Sequence, residues 1–134
     1  MFMLTMGAGM DMGFPDVCET PMVEGMITVP YPNISMTATD TPAAYNVLVD
    51  CMPTINQLSM GQVSTGDEVG MLGGVASARF DGESVYMVGC VTILVDGIPA
   101  QRMTSVTGQN AMGVMPNAPG ISLSPSQVTV LTLG

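Results

Sequence analysis

The chain has 134 residues, enough for one compact domain, and its net charge of −9 sets eleven acidic residues against Arg79 and Arg102 alone. So few cations cannot release counterions from phosphates, which excludes nucleic acid and an anionic membrane surface as partners. A hydrophobic fraction of 47% with 10% charged residues excludes a disordered chain, and sixteen Gly with ten Pro argue for many turns and against long helices.

The opening stretch, MFMLTMGAGMDMGF, has no basic region and carries Asp11, so it does not read as a secretory leader and the protein is expected to be made in the cytoplasm. Met1, Met3, Met6, Met10 and Met12 make residues 1–13 a Met-rich N-terminal arm of a single domain, 1–134. Thioethers suit adaptable packing against a partner, or Cu(I), and the first is the preferred reading. Beyond the arm, no window of a dozen residues keeps a helical apolar stripe free of Gly or Pro. Short runs bounded by turn residues read as strands instead: Met26–Val29, Tyr45–Val49, Val85–Val88, Val91–Val95 and Val128–Leu133. The uncharged stretch from Met103 to Gly134 is long enough to span a bilayer. Pro116, Pro119 and Pro125 would leave its backbone unsatisfied in lipid, so no integral membrane segment is expected. Cys18, Cys51 and Cys90 cannot all pair and none lies in a CxxC, which reads as reduced, mostly buried thiols.

An internal repeat is the most informative local signal. Val47-Leu48-Val49-Asp50-Cys51-Met52-Pro53 aligns with Ile93-Leu94-Val95-Asp96-Gly97-Ile98-Pro99, with four identities at an offset of 46 residues. A partial third copy sets Val128-Thr129-Val130-Leu131 against Val91-Thr92-Ile93-Leu94 at an offset of 37, with Gly134 opposite Gly97. Asp96-Gly97 is a strong signal for a type I′ hairpin turn, whose two central residues need φ > 0; Asp50-Cys51 is weaker because Cys is strained there. After the turn the chain runs on through Pro53 or through Pro99 to Arg102, where Pro marks an edge or a strand start. Three look-alike hairpins about one axis would form a small β pyramid that sits on a three-fold partner without symmetry mismatch.

Catalytic chemistry is poorly provided for. Ser64 lies near Asp67 and Glu68, but with no His and no Lys the usual bases for a Ser or Cys nucleophile are missing. Adjacent carboxylates in a Gly-rich segment serve turn backbone donors more readily than acid–base chemistry. Gly70-Met-Leu-Gly-Gly74 lacks the Lys of a phosphate loop. The protein is therefore expected to be no enzyme.

Several ordered motifs resemble the PAAR-like spike-tip proteins of type VI secretion systems, in the PYPN-containing branch that lacks His. Pro15-Asp16-Val17-Cys18-Glu19-Thr20-Pro21 and Val29-Pro30-Tyr31-Pro32-Asn33-Ile34 resemble that family's opening. Ser64-Thr65-Gly66-Asp67-Glu68-Val69-Gly70 and Gly73-Gly74-Val75-Ala76-Ser77 resemble its centre. Val91–Arg102 resembles the strand–turn–strand of true PAAR repeats, and Asn117-Ala118-Pro119-Gly120 with Pro125-Ser126-Gln127-Val128 resembles the closing section. The likeness runs from about residue 14 to 134. It implies an all-β fold of short hairpins in a pseudo-three-fold cone. It also implies a non-enzymatic role: capping the trimeric VgrG-type spike with one chain per trimer, sharpening it, carrying an effector or adaptor, and leaving the bacterial cytoplasm on the spike. A tip for a related contractile device, such as a phage baseplate or tailocin, is the alternative, and a Met/Cys soft-metal protein the more distant one. The structural or interface candidates are Cys18, Pro30, Tyr31, Pro32, Asn33, Asp67, Glu68 and Cys90, with Asp50, Asp96, Gly97 and Arg102 of the repeated turns.

True PAAR proteins pin the cone vertex with zinc held by three His and one Cys. This chain has no His, and structural zinc takes four ligands. No cofactor is expected; a site on Cys18, Cys51 and Cys90 completed by a carboxylate such as Asp16 is the residual option, and an apolar vertex lined by Met and Cys is the expected substitute.

Overall fold

Gly and Pro interrupt the chain so often that the computed structural model, which describes residues 1–133, holds no α-helix among them, only a 3-10 turn at Thr37–Thr39. The strands in chain order are β1 (Met10–Met22), β2 (Gly25–Met36), β3 (Asp40–Thr41), β4 (Ala44–Val49), β5 (Met52–Thr54), β6 (Met60–Gly61), β7 (Ser64–Thr65), β8 (Glu83–Val88), β9 (Cys90–Val95), β10 (Ile98–Ala100), β11 (Val106–Ala111) and β12 (Ala118–Ser124). An eight-stranded sheet runs β3-β6-β8-β11-β12-β1-β2-β7, and two separate ribbons pair β4 with β5 and β9 with β10. The fold is all-β, as expected.

The two ribbons are superimposable in register. Ala44, Leu48 and Val49 face Thr54, Pro53 and Met52, while Cys90, Leu94 and Val95 face Ala100, Pro99 and Ile98, with the same bulge in each. Both turns have two residues at positive φ: Asp50 (53°) and Cys51 (64°), Asp96 (57°) and Gly97 (78°). The Cys turn therefore adopts the same hairpin geometry as the Asp-Gly turn. A third ribbon is built from the two ends of the described chain. Phe2 bridges Leu131, Met3 N–H donates to Val130 O at 3.0 Å, and Thr132 N–H donates to Met1 O at 2.6 Å. Leu131 thus stands where Leu48 and Leu94 stand in the other two, at the offset read from the repeat. Val128–Leu133 is not a regular strand as expected: its partner is only Met1–Met3, too short for a ladder. Gly134 lies outside the described residues.

Where the ribbons end, their strands close a ring. Leu4 N–H donates to Gln101 O (3.0 Å), Gln101 N–H to Ile55 O (3.2 Å), and Ile55 N–H to Leu4 O (3.1 Å). A second set, two residues out, donates round the ring in the opposite sense: Met6 N–H to Pro53 O (2.9 Å), Gln57 N–H to Pro99 O (3.0 Å) and Met103 N–H to Phe2 O (2.8 Å). The flanking bridges Met3–Arg102, Thr5–Thr54 and Asn56–Ala100 follow the same three-fold rule. All three ring residues are fully buried. Residues 1–13 are consequently no free arm: Leu4 enters the ring, and β1 begins at Met10. Only Met3 among the described methionines is buried, so thioethers mainly coat the surface rather than fill a core.

The large sheet inverts the usual polarity. Asp11, Asp16, Thr20, Asn33, Ser35, Gln109, Asn110 and Ser122 point inward, while Phe14, Ile121, Leu123 and Val106 are exposed. Among the described residues, buried apolar packing forms two small clusters, Leu4, Ile55 and Tyr86 at the ring, and Met3, Ala44, Val95 and Ala100 of the ribbons. Tyr86 carries its hydroxyl between two buried carboxylates, 2.9 Å from Asp11 Oδ2 and 2.7 Å from Asp40 Oδ2. One hydroxyl proton can serve only one of them, so the other carboxyl must hold a proton of its own to bond the phenol oxygen. Burial raises both carboxyls, Asp40 to about 7, against a smaller lowering by the Tyr86 hydrogen bond.

Two outcomes follow for stability. Gln101 is the polar member of a ring whose equivalents are Leu4 and Ile55, and neither its Oε1 nor its Nε2 has a partner among the described residues. Gln101→Leu should raise the unfolding free energy by about 1 kcal/mol in a urea titration, since it relieves a buried unpaired amide. A loss of stability on this substitution would mean that the amide is bonded. Because the folded chain holds a proton on Asp40 that an unfolded carboxyl releases near its ordinary value, the contribution of Asp40 to stability is fullest below about pH 4 and is lost as pH rises toward 7. Melting curves between these limits should show that decline, and Asp40→Asn should make it shallower, leaving the part that the raised Asp11 and Asp67 carboxyls contribute.

Candidate functional site

The three ribbons present matched apolar side chains. By the repeat offsets, Tyr45, Val91 and Val128 occupy one equivalent position and are 60%, 74% and 66% exposed. Leu48, Leu94 and Leu131 occupy another and are 61%, 58% and 54% exposed. A strand in a ribbon shows alternate residues to opposite faces, so the inner faces pack on the small core while these six stand outward. In two of the ribbons the side chain of the preceding residue bonds to this segment, whereas the first has Ala44 there. In the third ribbon, Gln127 Oε1 accepts from Thr129 N–H (2.7 Å), Thr129 Oγ1 (2.9 Å) and Val130 N–H (2.8 Å), while Gln127 Nε2 donates to Met3 O (2.8 Å). In the second, the buried Cys90 takes that place, with Sγ 3.5 Å from Thr92 Oγ1. Asp50, Asp96 and Gly97 form the ribbon turns, and Arg102 lies at the ring, its N–H donating to Ser105 Oγ at 3.0 Å.

The opening and central motifs meet elsewhere, in a buried polar cluster. Cys18 of β1 points its thiol at Asp16 Oδ1 and Asp67 Oδ2, each at 3.6 Å. Asn33 of β2 donates Nδ2 to Asp16 Oδ2 at 2.9 Å, and Asn110 of β11 donates Nδ2 to Asp67 Oδ2 at 2.8 Å. Asn117 donates Nδ2 to Asp16 Oδ1. Burial raises the Asp67 carboxyl to about 6, with the Asp81 N–H opposing and Asp16 adding to the rise. Burial and the same two carboxylates push the Cys18 thiol far above its usual range, so it keeps its proton. The cluster is polar because β1, β2 and β11 turn their polar residues inward. Cys51 sits exposed in the first ribbon turn and Cys90 in β9, apart from Cys18, so the three thiols form no ligand set.

The remaining motif residues hold local structure. Tyr31 is hydrogen-bonded to Thr20 Oγ1 at 2.7 Å across β1 and β2, between the exposed Pro30 and Pro32. Glu68 accepts Gly66 N–H at 3.0 Å, as a turn carboxylate. Gly66 itself has φ +123° and its Cα faces the Pro32 carbonyl so closely that a Cβ would lie 2.1 Å from that oxygen. Nothing in the local pattern marks Asn110 or Asn117, whose partners Cys18 and Asp16 lie about a hundred residues away.

No curated protein and no solved structure matches the chain. No helix among the described residues is long and apolar enough to cross a membrane. The family model of the toxin PAAR-like domain matches residues 9–116, so Leu4 and the third ribbon lie outside the match and rest on geometry alone. Most of the chain being covered, it belongs to the toxin PAAR-like domain family, a family of structural spike-tip domains.

Proposed function

We propose that the protein caps the end of a trimeric VgrG-type spike of a type VI secretion system, one chain per trimer, and takes an effector or its adaptor with it when the spike is fired out of the cell. The single observation that carries this reading is the three-fold equivalence of the ribbons. A lone chain that offers Leu48, Leu94 and Leu131 at one level, and Tyr45, Val91 and Val128 at another, meets three identical partner chains with three near-identical contacts. The role is mechanical and interfacial rather than catalytic, in keeping with a chain that has neither His nor Lys.

Magnitudes limit what the six side chains can do alone. Each is already partly packed, so covering it contributes about 1 kcal/mol, roughly 6 kcal/mol in all. Association costs about 4–15 kcal/mol in lost rigid-body freedom. Backbone pairing along the ribbon edges must therefore add to the apolar contact, which favours a partner that ends in open strands.

Mixing the protein with a candidate spike trimer should give a complex of one chain per three in native mass spectrometry. Leu48→Asp, Leu94→Asp and Leu131→Asp should each weaken binding at least about tenfold and to similar extents. Tight binding that survives all three substitutions together, or three caps per trimer, would sink the reading.

A further inference from the structure

Among the described residues, the one group of three candidate metal ligands is Asp16, Cys18 and Asp67, with ligand atoms within 4.8 Å of one another. Structural zinc takes four donors that turn lone pairs toward the ion. The other groups facing this cluster turn N–H bonds toward it instead. Asn110 Nδ2 lies 2.8 Å from Asp67 Oδ2 and 3.7 Å from Cys18 Sγ, and Asn117 Nδ2 faces Asp16 Oδ1 and lies 3.9 Å from the same sulfur. Neither amide can be turned over without loss. Asn110 Oδ1 accepts Gly82 N–H at 3.0 Å, and Asn117 Oδ1 accepts Ala76 N–H at 2.8 Å. A reversed amide would set NH₂ against those backbone donors and its carbonyl against a carboxylate. Asn33 also gives its Nδ2 to the cluster.

Counting acceptors leads to the same answer. Asp16 Oδ1 takes Asn117 and Asp16 Oδ2 takes Asn33; Asp67 Oδ1 takes Asp81 N–H at 3.2 Å and Asp67 Oδ2 takes Asn110. Each of the four carboxylate oxygens already accepts a hydrogen bond, and a cation placed among them would face three amide N–H groups. The residues do not fit the zinc that true PAAR proteins hold.

We infer that Asp16, Cys18 and Asp67, with Asn33, Asn110 and Asn117, form a metal-free clamp in which amide donors and a protonated thiol do the cross-linking that a zinc ion does elsewhere in the wider family. The clamp ties β1, β2, the 66–82 loop, β11 and the approach to β12, segments that share little apolar core. Cys18 serves as a proton donor and a space-filling sulfur, not as a thiolate.

Three measurements on the full chain test this. Elemental analysis of protein purified without chelator should find less than about 0.1 zinc or copper per chain. Adding a strong chelator, or excess zinc, should move the melting midpoint by less than about 1 °C. Cys18→Ser removes a metal ligand but keeps a proton donor, and should shift the midpoint by no more than about 3 °C, whereas Asn110→Asp adds a metal ligand but removes a donor and should lower it by more than about 5 °C. One metal per chain, a midpoint that collapses with chelator, or Asn110→Asp becoming more stable in zinc would overturn the inference. If Asn110→Asp fails to fold, the elemental and chelator results on the unmodified chain decide the question by themselves.

Discussion

The ring of backbone hydrogen bonds through Leu4, Ile55 and Gln101 is the constraint on which the rest of the molecule depends. Three strand segments from distant parts of one chain each donate to the next and accept from the last, so none can shift register without breaking a bond on either side. Such a closed cycle leaves no free edge at the centre, which is how a small β structure avoids the pairing hazard of open strands. Each bond contributes only about 1 kcal/mol net. The cycle matters less for its total than for its geometry, because it holds three ribbons at equal spacing.

The polar interior follows from that geometry and from the small apolar core. With Leu4, Ile55 and Tyr86 filling one cluster and Met3, Ala44, Val95 and Ala100 the other, the wide sheet has no large hydrophobic body to close over. It closes over hydrogen bonds instead. Buried polar groups are costly when unpaired and rigidifying when paired. The two polar centres differ in this respect. Every carboxylate oxygen of Asp16 and Asp67 has a donor, whereas Asp11 and Asp40 each leave one oxygen unpartnered among the described residues and share a single phenol. Burial raises a carboxyl in each centre, Asp67 to about 6 in the first and Asp40 to about 7 in the second.

The outward apolar residues have a corresponding logic. An exposed leucine means little by itself. Three leucines at symmetry-related positions, each about equally exposed, describe a surface shaped for a three-fold object. The inverted sheet adds further apolar exterior at Phe14, Ile121 and Leu123, and most methionines also lie outside, so the molecule is poorly suited to remain uncovered over its whole surface.

Read alone, the sequence determined the all-β class, both hairpin turns, the repeat offsets that place Leu131 with Leu48 and Leu94, and the family. Each of these is written in local residue chemistry: Gly and Pro density, Asp-Gly and its Asp-Cys counterpart, and identities at fixed spacing. It did not disclose β1, β11 or β12, because alternation there runs polar inward, opposite to the usual pattern by which a strand is recognised. Nor could it show that residues 1–3 complete the third ribbon, that Gln101 sits among apolar equivalents, or that Asp16, Asp67, Asn110 and Asn117 converge on one thiol. Those facts depend on contacts between residues dozens to more than a hundred positions apart. Only the closed path of the chain around its ring brings such residues within hydrogen-bonding distance, and no local pattern encodes a partner that remote.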